Sequence, residues 1–209
     1  MTSIPCNAVL FDNDGVLVDS DAGALDAWAQ WARGRGLDPD EVLPIVHGRR
    51  AADTVARLVP EPERAEALAE IDRLELANAH TTVALPGARE LLSSLPAGKW
   101  AVVTSGNKAL ATARLAAADL PLPDLLVTAD DVTEGKPAPD GYLTAAGRLG
   151  FAPREVVVFE DSTAGVRAGL AAGARVVGVG EHARTTEAEV VVADLRGISW
   201  DGGALALPE

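Results

Sequence analysis

The 209-residue sequence contains few basic residues, one cysteine and no long apolar run. Its 18 Lys and Arg stand against 31 Asp and Glu, so the formal net charge is -13. Nucleic acids are held mainly by Lys and Arg that neutralise phosphates, so this balance, with scattered cations, argues against nucleic-acid binding. The lysines are Lys99, Lys108 and Lys136. Such scarcity makes each lysine a candidate for a specific role.

Cysteine and targeting signals are equally scarce. Cys6 is the single cysteine and cannot form an intrachain disulfide, which is typical of a reducing compartment. The N-terminal residues include no cationic stretch and acids soon interrupt their apolar run, so we predict neither a signal peptide nor a membrane span. We therefore expect a cytoplasmic protein with no membrane partner, either a monomer or a homodimer. Hydrophobic residues make up 48% of the chain, which is ordinary for a globular protein.

Short apolar runs recur along the chain and predict buried strands of a parallel sheet. The runs cover residues 8–12, 100–104, 125–128, 156–160, 174–179 and 190–192. From Pro86 onward, amphipathic helical patterns separate them, over residues 88–95, 108–120, 139–149 and 163–172. This alternation of strands and helices is typical of an α/β fold with a doubly wound parallel sheet.

The interval from Asp19 to Leu85 differs, because it contains helical patterns and no strand-like run. The patterns cover residues 22–35, 51–58 and 61–79, with breaks at 36–39 and 60–62. We predict an all-helical cap over residues 19–85, inserted into an α/β core formed by residues 1–18 and 86–209. The cap is expected to lie over the carboxyl edge of the sheet.

Polar residues and one glycine end or follow the apolar runs at this edge, where open parallel sheets bind their ligands. They are Asp12, Asp14, Thr104, Ser105, Gly106, Glu160, Asp161 and, beyond a longer loop, Lys136. Turn and helix-cap preferences account for each residue taken alone. Four carboxylates at one edge would repel one another, however, and a bound cation would offset that repulsion. Oxygen-only ligands favour Mg²⁺, and Lys136 and Thr104 would then hold phosphoryl oxygens.

Four strings occur in the order and spacing of one family. They are FDNDGVLVDS (11–20), VVTSGN (102–107), EGKPAPDGYL (134–143) and VVFEDSTAGVRAGLAAG (157–173). The sequence thereby resembles the haloacid dehalogenase (HAD) superfamily hydrolases that carry a helical cap. HGRRAADT (47–54) and LPGARELL (85–92) are similar to strings of the sugar- and polyol-phosphate phosphatases in the beta-phosphoglucomutase-like group. The resemblance implies a Rossmann-like core, a helical cap and hydrolysis of a small phosphorylated metabolite.

The resemblance also implies an aspartyl-phosphate mechanism with four catalytic residues. Asp12 would attack phosphorus. Asp14 would protonate the leaving alcohol and then deprotonate the attacking water. Thr104 and Lys136 would stabilise the transferring phosphoryl group.

The same resemblance implies metal and substrate ligands. Mg²⁺ would be held by Asp12, by the backbone carbonyl of Asp14 and by Asp161, with Glu160 close behind. Substrate contacts are expected from Ser20, Ser105, Gly106 and Arg49. In the cap, Arg49 or its neighbour Arg50 would reach a substrate hydroxyl or a second anion, or would simply begin a helix surface.

Departures from the family patterns narrow the chemistry. Dehalogenase relatives lack the second acid, Asp14, and residues 19–85 contain no lysine for the Schiff base of phosphonoacetaldehyde hydrolases. Ala24 stands where phosphoglucomutases carry a cap histidine. Hydrolysis by water is therefore favoured, with a phosphoglycolate-type phosphatase or a beta-phosphoglucomutase-like phosphotransferase as alternatives.

Two rivals belong to other classes. Residues 178–183 fit the dinucleotide-binding pattern G-x-G-x-x-A, although they do not follow the first strand. A phospho-receiver would also place an aspartate beside Thr and Lys, but Asp14 would hydrolyse its phosphoaspartate. Elsewhere, we expect Trp28 and Trp31 to pack in a core.

Overall fold

The computed structural model describes residues 2–208 and is centred on a six-stranded parallel sheet. The strands are β2 (Ala8–Phe11), β5 (Trp100–Val103), β6 (Leu126–Val127), β7 (Val156–Glu160), β8 (Arg175–Val179) and β9 (Val190–Val192). Their spatial order, β6-β5-β2-β7-β8-β9, confirms the predicted doubly wound sheet. The chain extends from β2 first toward β6 and later toward β9, so the carboxyl end of β2 lies at the switch point, where such sheets bind ligands.

Both faces of the sheet are buried, which explains why its strands are continuously apolar. Val9 and Phe11 belong to the core on one face, whereas Ala8 and Leu10 belong to the core on the other. Four helices cover the faces: α5 (Ala88–Ser94), α6 (Lys108–Ala117), α7 (Asp140–Leu149) and α8 (Thr163–Ala171). Helix α6 ends before the predicted residue 120, because Asp119 has φ 52, in the left-handed region that an α-helix does not use.

The interval predicted to be helical contains α1 (Asp21–Gly34), α2 (Pro39–Val42), α3 (Ala51–Leu58) and α4 (Arg64–Asn78). These helices enclose a hydrophobic cluster of their own, which includes Trp28 and Trp31 and confirms their packing role. The Trp31 indole donates a 2.9 Å hydrogen bond to the carbonyl of Ala67. The domain boundaries at residues 18/19 and 85/86 stay a prediction.

Short antiparallel pairs are the elements that the apolar pattern missed. β3 (Val18–Asp19) pairs with β4 (Val83–Ala84), so the prediction that no strand interrupts residues 19–85 was wrong. This pair brings the two chain crossings between the sheet and the helical segment side by side. A second sheet joins β1 (Thr2–Pro5), β11 (Ala204–Leu207) and β10 (Ser199–Trp200). Each of these five short strands contains exposed or half-buried residues, whereas every residue of β2 and β5 is buried.

Two further expectations concern ligands and membranes. After β8, the chain forms a 3-10 turn at His182–Thr185, so the glycine pattern at 178–183 does not open the α-helix that a dinucleotide site needs. Gly178 instead packs closely against Ala183, Ala188 and Val191. Within residues 2–208, no helix has both the length and the apolarity to cross a membrane.

Candidate active site

The carboxyl ends of the strands and the helical segment enclose a cavity of about 230 Å³. Of the predicted site residues, those that line it are Asp12, Asp14, Ser20, Arg49, Thr104, Ser105, Gly106 and Asp161. The parallel register produces this gathering, because Phe11 of β2 pairs with Val102 of β5 and with Phe159 of β7. The polar residues that follow each strand therefore end at the same level. Lys136 and Glu160 contact this group from behind Asp12.

Lys136 is a buried cation directly beneath Asp12. Its Nζ donates to Asp12 Oδ1 at 2.7 Å, to Glu160 Oε1 at 2.6 Å and to the Val103 carbonyl at 3.1 Å. Burial lowers the pKa of Lys136, but the two carboxylates outweigh burial and the pKa is raised. Lys136 is therefore charged and holds one oxygen of Asp12 in a fixed place.

Glu160 anchors Lys136. Besides the lysine, its Oε1 accepts a 2.8 Å hydrogen bond from the Tyr142 hydroxyl, and its Oε2 accepts from the backbone N–H and the hydroxyl of Ser162, both at 3.1 Å. A carboxylate offers about four acceptor positions, and these four donors use them. Gly165 permits the arrangement, because a Cβ there would overlap the Glu160 carboxylate. The geometry thus favours Glu160 as the support of Lys136.

Asp12 and Asp161 form the part of the site that fits a divalent cation. One oxygen from each, together with one from Glu160, lies within a group that spans 4.8 Å. Burial raises the pKa of both aspartates, and neighbouring carboxylates raise it further. This excess of buried negative charge and the all-oxygen donor set fit a hard ion such as Mg²⁺. The Asp14 side chain lies outside this group, so Asp14 would contribute only its carbonyl.

Asp14 points across the cavity toward α6. Its Oδ1 accepts hydrogen bonds from the Ser20 hydroxyl at 2.6 Å and from Arg114 Nη1 at 3.1 Å. Its Oδ2 has longer contacts, at 3.3 Å with Asn13 Nδ2 and at 3.5 Å with the Thr104 hydroxyl. The side chain is 27% exposed. Two hydrogen bonds therefore fix Oδ1 of Asp14, whereas Oδ2 has only long contacts and is available to exchange a proton.

The helical segment contacts the sheet edge directly. Arg50 Nη1 donates to the carbonyl of Thr133 at 3.0 Å, and the Ser105 hydroxyl donates to the carbonyl of Gly48 at 3.2 Å. Arg50 also pairs with Asp53, whereas Arg49 is exposed at the cavity. Of the two arginines, Arg49 is thus the one with its side chain available to a substrate.

His47 also reaches the sheet edge from the helical segment. Its Nε2 lies 3.1 Å from Asp161 Oδ2, and its ring centroid lies 5.2 Å from that of His182. The spacing of the histidines along the chain, His47, His80 and His182, does not predict a metal site at His182. His182 is exposed, but the fold brings one ligand atom each of His47, Asp161 and His182 within 4.8 Å of one another.

We expect His47 to titrate at unusually high pH in the metal-free protein. The hydrogen bond to Asp161 outweighs partial burial, and the charges of Asp161, Asp21 and Asp12 assist, which raises the pKa of His47 to about 9. The resulting stabilisation is complete below the unfolded-state pKa of 6.5 and is lost as the pH rises through about 9. Because 38% of the His47 side chain is exposed, we expect this stabilisation to add about 1 kcal/mol or less to the free energy of unfolding.

The measurement is an NMR titration of the imidazole protons, assigned with the variant His47→Gln. A His47 midpoint near 6.5 would contradict the expectation.

Two buried charges near the cavity were not predicted. Arg114 on α6 pairs with Asp14, and its other terminal nitrogen lies 3.1 Å from Glu75 on α4. The position of each charge on its amphipathic helix is the sequence signal that could have revealed it. Arg114 shares a buried face with Leu110, Ala111 and Leu115, and Glu75 shares one with Ala67, Ile71 and Leu74. A charge at a core position of an amphipathic helix needs a buried partner.

Comparisons with known proteins agree with the site geometry. The pattern that defines haloacid dehalogenase-like hydrolases matches residues 6–173. The chain belongs to the haloacid dehalogenase-like hydrolase family. Hexitol phosphatase A of Escherichia coli (strain K12) is 46% identical over 202 residues, which cover 93% of this chain and 94% of that protein. Glycerol-1-phosphate phosphohydrolase 1 of Saccharomyces cerevisiae is 34% identical, over 85% of this chain and 76% of that protein.

A solved structure supports the HAD fold. The crystal structure of a hydrolase from Pseudomonas syringae superposes with a TM-score of 0.80 at 28% identity, and the match covers 90% of this chain and 94% of the other. The predicted Rossmann-like HAD core is confirmed, and so is the prediction of an enzyme, a HAD-like phosphatase.

Proposed function

We propose that this HAD-like phosphatase uses Mg²⁺ and an aspartyl-phosphate intermediate to hydrolyse the phosphomonoester of a polyol or sugar. The observation that carries the proposal is the placement of Asp12. One of its oxygens is held 2.7 Å from a buried lysine, while the residue lines a cavity beside a second acid, Asp14. A fixed carboxylate with an acid–base neighbour is the arrangement that covalent phosphoryl transfer needs.

The proposed reaction has two steps. In the first, an oxygen of Asp12 attacks phosphorus, the bond between phosphorus and the alcohol oxygen breaks, and Asp14 gives its proton to that oxygen. In the second, Asp14 takes a proton from water, the water oxygen attacks phosphorus, and the bond to Asp12 breaks. One water is consumed, and one alcohol and one phosphate are released. Asp14 returns to its starting protonation state.

The remaining site residues would orient Asp12 and bind the phosphoryl group and the metal. Lys136 fixes Asp12 and places positive charge behind the phosphoryl group, and the Thr104 hydroxyl lies at the cavity wall. We propose that Asp12, Asp161 and the carbonyl of Asp14 hold the metal. When bound, Mg²⁺ supplies positive charge that offsets both the carboxylates and the incoming phosphate. Glu160 acts through Lys136.

We propose a polyol or sugar as the leaving group. The relatives named above are phosphatases of hexitol and glycerol phosphates. The cavity wall on the helical side combines Trp28 and Leu25 with the polar residues Asp72 and Arg49. Apolar walls with a few placed polar groups suit a hydroxylated carbon chain. Residues 19–85 would serve as the cap that selects this group, and Ser105 and Gly106 would line the entry of the phosphate.

A substrate panel tests this function. We expect phosphate release from glycerol 1-phosphate or from hexitol and sugar phosphates, at higher kcat/KM than from phosphoglycolate, and we expect EDTA to abolish it. Mg²⁺ alone should raise the Tm, because it binds only the folded site. It should also move the His47 signal, because His47 contacts the proposed ligand Asp161.

Each arm of the panel has its own contradictory outcome. Faster hydrolysis of phosphoglycolate would overturn the leaving-group assignment. Full activity in EDTA, with no Tm shift on adding Mg²⁺, would overturn the metal assignment. Conversion between phosphosugar isomers without phosphate release would favour the phosphotransferase alternative.

A further inference from the structure

Arg114 connects the proposed acid–base residue to the helical segment. Its Nη1 donates to Asp14 Oδ1 and its Nη2 donates to Glu75 Oε1, each at 3.1 Å. The Arg114 side chain is 7% exposed and that of Glu75 is 10% exposed. Within residues 2–208, the buried Nε of Arg114 has no hydrogen-bond partner. Its two terminal nitrogens therefore fix the guanidinium between two carboxylates.

The fold brings Arg114 to the cavity from two turns inside α6. Side chains on a helix lean toward its N-terminus, and α6 begins at the sheet edge just after Thr104. Helix α6 packs against α4, which carries Glu75. Burial lowers the pKa of Arg114, but the attraction of Asp14 and Glu75 outweighs it, so the pKa is raised and the group stays charged.

We propose that Arg114 is a positioning residue for Asp14, and that Glu75 of α4 holds Arg114 in place. Arg114 and Ser20 both bind Oδ1, so Oδ2 is the oxygen left to exchange a proton with the leaving alcohol or with water. The planar fork of arginine holds two carboxylates at once, which one ammonium group does not do. The proposal rests on the proposed function, because it assigns proton transfer to Asp14.

Two leaving groups separate positioning from a structural role. An alkoxide needs a proton as it leaves, whereas p-nitrophenolate does not. We expect Arg114→Met to slow single-turnover phosphoryl transfer from the best alkyl phosphate of the panel by about 10²-fold, the usual contribution of a general acid. The pre-steady-state burst of p-nitrophenol from p-nitrophenyl phosphate should change little. KM for the alkyl phosphate should also change little.

Three further variants complete the test. Arg114→Met in an Asp14→Asn background should add no loss, because Arg114 acts through Asp14. Arg114→Lys keeps a buried cation, so it can replace Arg114→Met if that variant does not fold. It should also slow transfer from the alkyl phosphate more than transfer from p-nitrophenyl phosphate, but by a smaller factor. Arg167→Met removes an exposed arginine of α8 that pairs with Glu187 and does not line the cavity, so it should keep full rates.

The outcomes separate the two proposals. If the wild-type protein hydrolyses no phosphate ester, the proposed function fails. If the wild type is active and the folded Arg114 variants slow both leaving groups equally, or slow neither, the positioning role fails and the function stands. A further loss from Arg114→Met beside Asp14→Asn also contradicts positioning.

Discussion

Asp12→Asn is expected to reduce phosphatase turnover by about 10⁶-fold, the scale seen when a covalent nucleophile is removed. The amide nitrogen does not attack phosphorus, and the amide oxygen is a much weaker nucleophile than the carboxylate. The substitution conserves volume and keeps an oxygen to accept the hydrogen bond from Lys136. The loss of activity therefore isolates the chemical role of the carboxylate.

The same substitution should leave the metal-free protein at least as stable as the wild type. Burial, and then Glu160, Asp161 and Asp14, raise the pKa of Asp12 against the opposing effect of Lys136. A raised pKa in an acid means that folding disfavours its charged form, so at neutral pH a neutral isostere removes a destabilising charge. Steady-state kinetics and urea denaturation measure the two effects separately. Lost activity with retained stability is typical of a functional residue.

Asp119→Asn is the matched control. Asp119 is exposed, pairs with Arg89 and has the positive φ that asparagine also tolerates. It should keep wild-type turnover. If Asp12→Asn retains turnover within tenfold of the wild type, Asp12 is not the nucleophile. The mass of one phosphoryl group on the peptide that contains Asp12, found after quenching with substrate, would identify the intermediate directly.

The central sheet was predictable from sequence because its middle strands are buried on both faces. Such strands carry a continuous apolar run whose end marks the ligand edge, so the pattern that located β2, β5 and β7 also located Asp12, Thr104 and Asp161. The strands that were missed, β1, β3, β4, β10 and β11, pair antiparallel, and each contains exposed or half-buried residues. Their existence depends on tertiary contacts, which local pattern does not encode.

Contacts between the helical segment and the sheet were also beyond local pattern. Arg114 and Glu75 are separated by 39 residues, and Arg114 and Asp14 by 100. Helical phase shows that both charges fall among buried neighbours, but phase does not show which charges meet. His47 begins the string HGRRAADT, but its contact with Asp161 depends on how the helices lie on the sheet. Only the fold shows which side chains of two different elements contact each other.

Lys136→Met is expected to reduce both activity and stability. Loss of a cation aimed at developing phosphoryl charge should lower kcat by roughly 10²–10³-fold. Asp12 and Glu160 would lose their shared buried partner, and removing one member of a buried ion pair typically destabilises by about 3–5 kcal/mol. Both effects have one cause, because the lysine that neutralises the two carboxylates is also the group that fixes Asp12.

The stability loss should depend on pH in a defined direction. Lys136 lowers the pKa of Asp12, so its removal raises that pKa further above the unfolded value. The folded variant then binds a proton more tightly than the unfolded chain, so its stability rises as the pH falls. Metal-free Lys136→Met should therefore lie closer to the wild type at pH about 5 than at pH about 8, as urea denaturation would show.

Two variants test whether buried charge is the cause. Lys99→Met removes a lysine at the opposite end of β5, whose Nζ lies 4.6 Å from the centroid of the Phe151 ring. It should lower the free energy of unfolding by about 1 kcal/mol or less, by the same amount at both pH values. Adding Asp12→Asn to Lys136→Met should restore part of the lost stability, because one of the two unpaired carboxylates is then neutral. An equal loss at both pH values, with no recovery in the double variant, would mean that packing by the lysine stem, and not its charge, holds this part of the fold.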